Sequence, residues 1–164
     1  MKYHHVFLAA LLAALVPLKA SAHVVFADAM ADPGAYYAGF LRVGHGCDGS
    51  PTLTLTVTIP DGVDMAHPQP KPGWTLETAK DKNGRVTSIT WRGRLEADQF
   101  DQFGVLVKLP KVEGPLYFPT KQVCEKGEQN WSDIPKPEQD WHDVPHPAPV
   151  VNIMAGMSSM MMHH

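Results

Sequence analysis

The chain has 164 residues with 14 Lys and Arg against 17 Asp and Glu, a formal charge of −3. That balance excludes the electrostatic footprint of a nucleic-acid binder or of a protein that docks on an anionic membrane surface. The length is that of one ordinary domain.

In chain order, the first segment reads as a signal peptide of residues 1–22. Lys2 with His4 and His5 forms a basic start, "VFLAALLAALVPL" is an apolar stretch, and Ala20-Ser21-Ala22 fits the small-x-small cleavage rule. The apolar stretch is too short to span a bilayer as a helix. Cleavage after Ala22 makes His23 the first residue of a periplasmic or secreted protein. Losing Lys2 and Lys19 makes the remaining chain two units more negative.

Strand signals then recur with little helical periodicity. "YYAGFLRV" (36–43) follows the turn "ADPGA", and "TLTLTVTI" (52–59) alternates Thr with aliphatic residues. The second pattern predicts Leu53, Leu55, Val57 and Ile59 facing a core and the threonines facing water. "WTLETA" and "RVTSITW" flank "KDKNG", a hairpin signal at Asn83-Gly84. "FGVLVKLP" (103–110) and "LYFPTKQVCEKGEQNWSDI" (116–134) supply further strands, while "LEADQFDQFG" reads as a turn or short helical stretch with solvated carboxylates. Fifteen prolines, many at strand ends, argue against long helices. Seven or eight short strands predict an all-β fold, an antiparallel immunoglobulin/fibronectin-like β-sandwich over residues 23–150. Residues 151–164, containing "NIMAGMSSMMMHH", read as a Met/His-rich flexible tail.

Two cysteines, Cys47 and Cys124, have one obvious pairing in an oxidising compartment. Closing a loop of roughly 77 residues is worth about 4 kcal/mol in the chain-entropy model. A thiol-based metal site is the competing reading, and it requires both cysteines to be reduced.

The residue types that carry chemistry point to a metal. A His at position one offers its terminal amine and imidazole Nδ1, which close a six-membered chelate ring. With a free pKa near 8 the amine gives up its proton at little cost. Such nitrogens suit Cu(II). His45, between two glycines in "RVGHGCDGSP", is a second ligand candidate; the alternative is a loop His bonded to backbone near the disulfide. Trp131, in "EKGEQNWSDIP", either covers a metal with its indole or is simply core. His142 and His146 in "DWHDVPHPAP" are four apart, but Pro145 opposes a helical pair. Met154, Met157, Met160, Met161, Met162, His163 and His164 offer soft thioethers and imidazoles that make the tail a Cu(I) candidate. There is no Gly-x-Ser-x-Gly, no Gly-rich phosphate loop and no catalytic Cys/His pairing, so turnover is not expected.

"HVVFADAMADPGAYYAGFLRVGHGC", "PKPGWTLET", "ITWRG", "ADQFDQFGVLVKLP" and "LYFPTKQVCEKGEQNW" together resemble the YcnI-like family of exported copper-binding domains, over residues 23 to about 150. The resemblance implies a β-sandwich holding Cu(II) through the mature N-terminal His, an arrangement called a monohistidine brace. It carries the N-terminal ligand to His23 and the metal-side tryptophan to Trp131. The family's carboxylate ligand has no counterpart, since "GHGCD" stands at residues 44–48 where it would fall. His45 is the expected substitute and Asp48 the fallback. The leading expectation is a role in copper trafficking, storage or tolerance, exchanging copper ion with another copper chaperone or a membrane copper transporter. Two alternatives remain: a histidine-brace copper oxidase acting on polysaccharide, and a structural or adhesive sandwich domain that holds no metal.

Overall fold

A computed structural model describes residues 23–156. The expected signal peptide, and Met157, Met160, Met161, Met162, His163 and His164, lie outside the described residues.

Twelve strands follow one another: β1 (Val25–Phe26), β2 (Met30–Ala31), β3 (Tyr36–Val43), β4 (Thr52–Thr58), β5 (Ala66–Pro68), β6 (Thr75–Lys80), β7 (Val86–Leu95), β8 (Asp101–Lys108), β9 (Gly114–Tyr117), β10 (Thr120–Cys124), β11 (Glu128–Trp131) and β12 (Val150–Ile153). The one helical turn among the described residues is a 3-10 turn at Trp141–Asp143. One sheet has the order β1-β3-β8-β5, a second β11-β10-β4-β7-β6, and a third β2-β12-β9. Pairing is antiparallel apart from β2 with β12.

Period-two patterning explains how the two larger sheets face each other. In β3, alternate residues Tyr37, Leu41 and Val43 are buried while Tyr36, Phe40 and Arg42 are exposed. Leu55, Val57, Ile89 and Trp91 are fully buried in the five-stranded sheet. Trp91 meets Phe103 of the other sheet edge to face, with centroids 5.6 Å apart. Its indole N–H donates to the Gln69 carbonyl at 3.1 Å, so the largest core side chain leaves no polar atom unpaired. The Asn83-Gly84 hairpin joins β6 to β7 as expected, with Gly84 at a φ of +83° and the Asn83 N–H donating to Asp81 at 2.8 Å.

Two expectations are corrected. Leu53 is only half-buried, whereas Thr52 is fully buried. The β4–β7 register shifts between Thr52 and Thr54, and this bulge reverses which side chain points inward. Residues 151–153 are not part of a flexible tail. Residues 150–153 form β12, pairing with β9 and β2, and Val151 and Ile153 are buried in the core.

The disulfide forms as expected. Cys47 and Cys124 are bonded across a sequence separation of 77, tying the loop before β4 to the end of β10. No free cysteine remains among the described residues for a thiolate metal site.

Candidate metal centre

His23 enters the fold directly ahead of β1. Its neighbour Val24 is 1% exposed and acts as an anchor in the core. The half-buried His23 ring lies between two indoles. Trp131, at the end of β11, meets it edge to face at 5.6 Å, and Trp141 of the 3-10 turn does so at 5.2 Å.

Trp131 is buried and held by a hydrogen-bond chain. Its indole N–H donates to Gln122 Oε1 at 3.2 Å. Gln122 Nε2 donates in turn to Thr52 Oγ1 at 2.8 Å and to the His45 carbonyl at 3.0 Å. One buried amide thus links Trp131 to the loop that carries His45. The bulge in β4 makes this geometry available, because it turns Thr52 inward.

His45 is half-buried, with Nδ1 2.6 Å from the Gly46 carbonyl. Gly46 is buried where a Cβ would stand 1.9 Å from the Ser50 carbonyl, so only glycine fits this close backbone approach. Asp48 is exposed, at a φ of +46° in the turn closed by the Cys47–Ser50 bridge.

His142 and His146 come to the same indoles as His23. His142 packs edge to face on Trp141 at 5.2 Å, and His146 lies against Trp131 at 5.8 Å. Their segment is pinned by the Trp141 indole N–H donating to the Ala148 carbonyl at 2.9 Å and by reciprocal backbone bonds between Asp133 and residues 146 and 148. Asp140 caps the 3-10 turn through the His142 N–H at 2.8 Å. Met154 is exposed just beyond β12.

Burial, followed by the charges of His142 and His146, holds the His23 imidazole below its ordinary pKa. The neutral ring, which is the form that ligates a metal, is therefore favoured near neutral pH. Among the described residues no three His, Cys, Asp or Glu side chains converge as a metal cage. A chelate made of one residue's amine and imidazole would not need such convergence, so His23 would fit Cu(II) if cleavage after Ala22 freed its amine.

The structure therefore brings His23, Trp131, His142 and His146 together, and connects His45 to them through Gln122. Asp48 sits apart in its turn. Sequence reasoning missed Trp141, Gln122 and Thr52. Trp141 carried a local signal, an aromatic directly before a His in "DWHD". Gln122 and Thr52 carried none.

Residues 23–153 match the model of the family described as "Domain of unknown function (DUF1775)", the YcnI family. Over 94 residues the chain is 31% identical to the copper-binding protein CutI of Bacillus subtilis (strain 168), an alignment covering 56% of this chain and 45% of that relative. The chain thus spans under half the length of that relative. Among solved structures it resembles an uncharacterized protein from Nocardia farcinica, described as revealing an immunoglobulin-like fold. That match has a TM-score of 0.69 and 28% identity, and it covers 80% of this chain and 97% of the other.

Proposed function

Because the chain belongs to the DUF1775 family, we propose that it is an exported copper-binding protein that holds Cu(II) through the amine and imidazole of His23. On this reading, cleavage after Ala22 delivers it to the periplasm or the exterior. There it serves copper trafficking, storage or tolerance without turnover. Copper passes to or from another copper chaperone or a membrane copper transporter, and the Met/His-rich residues beyond 156 add soft donors for Cu(I).

The observation that carries this reading is the seat of His23, a half-buried imidazole flanked by two indoles and fixed by a buried Val24. The name of the CutI relative supports the metal. The buried Trp131 on one side of the ring, with Trp141 on another, supports storage over oxygen chemistry on a polysaccharide, which requires an open coordination position.

The test is Cu(II) titration of the chain beginning at His23, followed by electron paramagnetic resonance and visible absorption. It is compared with His23→Ala and with a form carrying one extra residue before His23. Both altered forms are expected to lose the native copper signal and to bind at least about a hundredfold more weakly, since each breaks the chelate. Native-like copper spectra in both would overturn the assignment.

A further inference from the structure

We propose that His142 and His146, supplied by the 140–147 segment, are the remaining imidazole donors of the copper site. This rests on the copper reading of His23 and names the rest of its ligand set.

Three observations converge. The two indoles that flank His23 are the same two against which the loop histidines lie, Trp141 for His142 and Trp131 for His146. The His142 imidazole also has a carboxylate at Nδ1, with Asp140 Oδ1 at 2.8 Å, whereas Asp133 Oδ2 lies 4.0 Å from Nδ1 of His146 and accepts from the His146 backbone N–H at 3.3 Å. A carboxylate accepting from Nδ1–H fixes the tautomer that leaves the Nε2 lone pair to the metal, the arrangement that orients histidine ligands generally. Finally, the pins of the segment are main-chain and indole contacts at Asp133, Trp141 and Ala148. The imidazoles themselves are exposed, 81% for the His142 side chain and 49% for that of His146.

The backbone is thus held beside His23 while the two side chains can still swing. The imidazoles do not converge as they stand, so the proposed set requires both exposed side chains to rotate toward His23 over a loop already in place. His45 is connected differently. Its main-chain carbonyl serves Gln122 and its Nδ1 faces the Gly46 carbonyl, which gives it a positioning part behind Trp131. The resulting set has one amine and three imidazoles, a nitrogen environment that matches Cu(II).

Pulsed electron paramagnetic resonance, which counts imidazole nitrogens coupled to Cu(II), together with competition for copper against a chelator, tests this on the chain beginning at His23. The double variant His142→Ala/His146→Ala is expected to lose imidazole couplings and to bind copper roughly tenfold or more weakly. Its melting curve should stay native, because both side chains are exposed. His67→Ala, an exposed histidine on β5, serves as the control and is expected to match the native chain. Native couplings and affinity in the double variant would overturn the inference while leaving a His23-dependent copper site standing. Failure of the native chain to bind Cu(II) at all would remove both.

Discussion

With Nε2 donating to the His45 carbonyl and Thr52 Oγ1, and Oε1 accepting from Trp131, Gln122 makes three hydrogen bonds while 2% exposed. Replacing it by Ala strands buried polar partners, at about 1–3 kcal/mol for such a group. Gln122→Ala is therefore expected to lower the urea midpoint by about that much and to shift Trp131 fluorescence. An unchanged midpoint would mean that Trp131 is held by packing alone. Gly46→Ala is expected to destabilise on the order of 1–3 kcal/mol, because its Cβ meets the Ser50 backbone rather than a side chain that could yield; thermal melting checks it. At this scale the sequence singled out His23 by residue type and position, and Trp131 through the family resemblance, and concealed what holds them in place. Gln122 looks like any strand glutamine until β10 pairs with both β4 and β11.

Among the elements, β4 is where simple alternation fails. The Thr/aliphatic pattern is correct for Leu55, Val57 and Ile59, all buried, and breaks at Leu53 beyond the bulge. A bulge is set by pairing with β7 and so leaves no mark in a single strand's periodicity. The 140–147 segment was equally hard to read, because its course depends on the Asp133–Pro147 bridge and not on local propensity. Its 3-10 turn makes a pH prediction. The backbone N–H of His142, and then its side chain, lower the Asp140 pKa below its ordinary 3.8. A depressed carboxylate pKa means that the cap is intact above 3.8 and is lost as pH falls through the lowered folded value. A carboxyl-carbon NMR titration should show Asp140 ionising below the ordinary Asp range, with the His142 amide shift following the same curve. An Asp140 midpoint at or above 3.8 would contradict the cap.

For the whole molecule, the sandwich class was legible because nearly every segment carried its own signal of alternation, turn residues and strand-end prolines. The shortest strands were not, since β1 and β2 have two residues each and acquire meaning only from their partners. The Cys47–Cys124 bond closes its 77-residue separation at one end of the sandwich. Replacing both cysteines by Ser is expected to cost about 4 kcal/mol in the chain-entropy model, read as a lower urea midpoint. A loss well under 1 kcal/mol would mean that the strands already restrict the unfolded chain.

The parallel pairing of β2 with β12 has a consequence for how the molecule is made. Among the described residues, the strand partners of Met30 and Ala31 are Asn152 and Ile153, far along the chain. A nascent chain emerging from its N-terminus therefore leaves the β2 edge without its β12 partner until Asn152 and Ile153 have appeared. Contacts over such sequence distances slow folding, and the β2–β12 pairing cannot form before residues 152 and 153 have been synthesised.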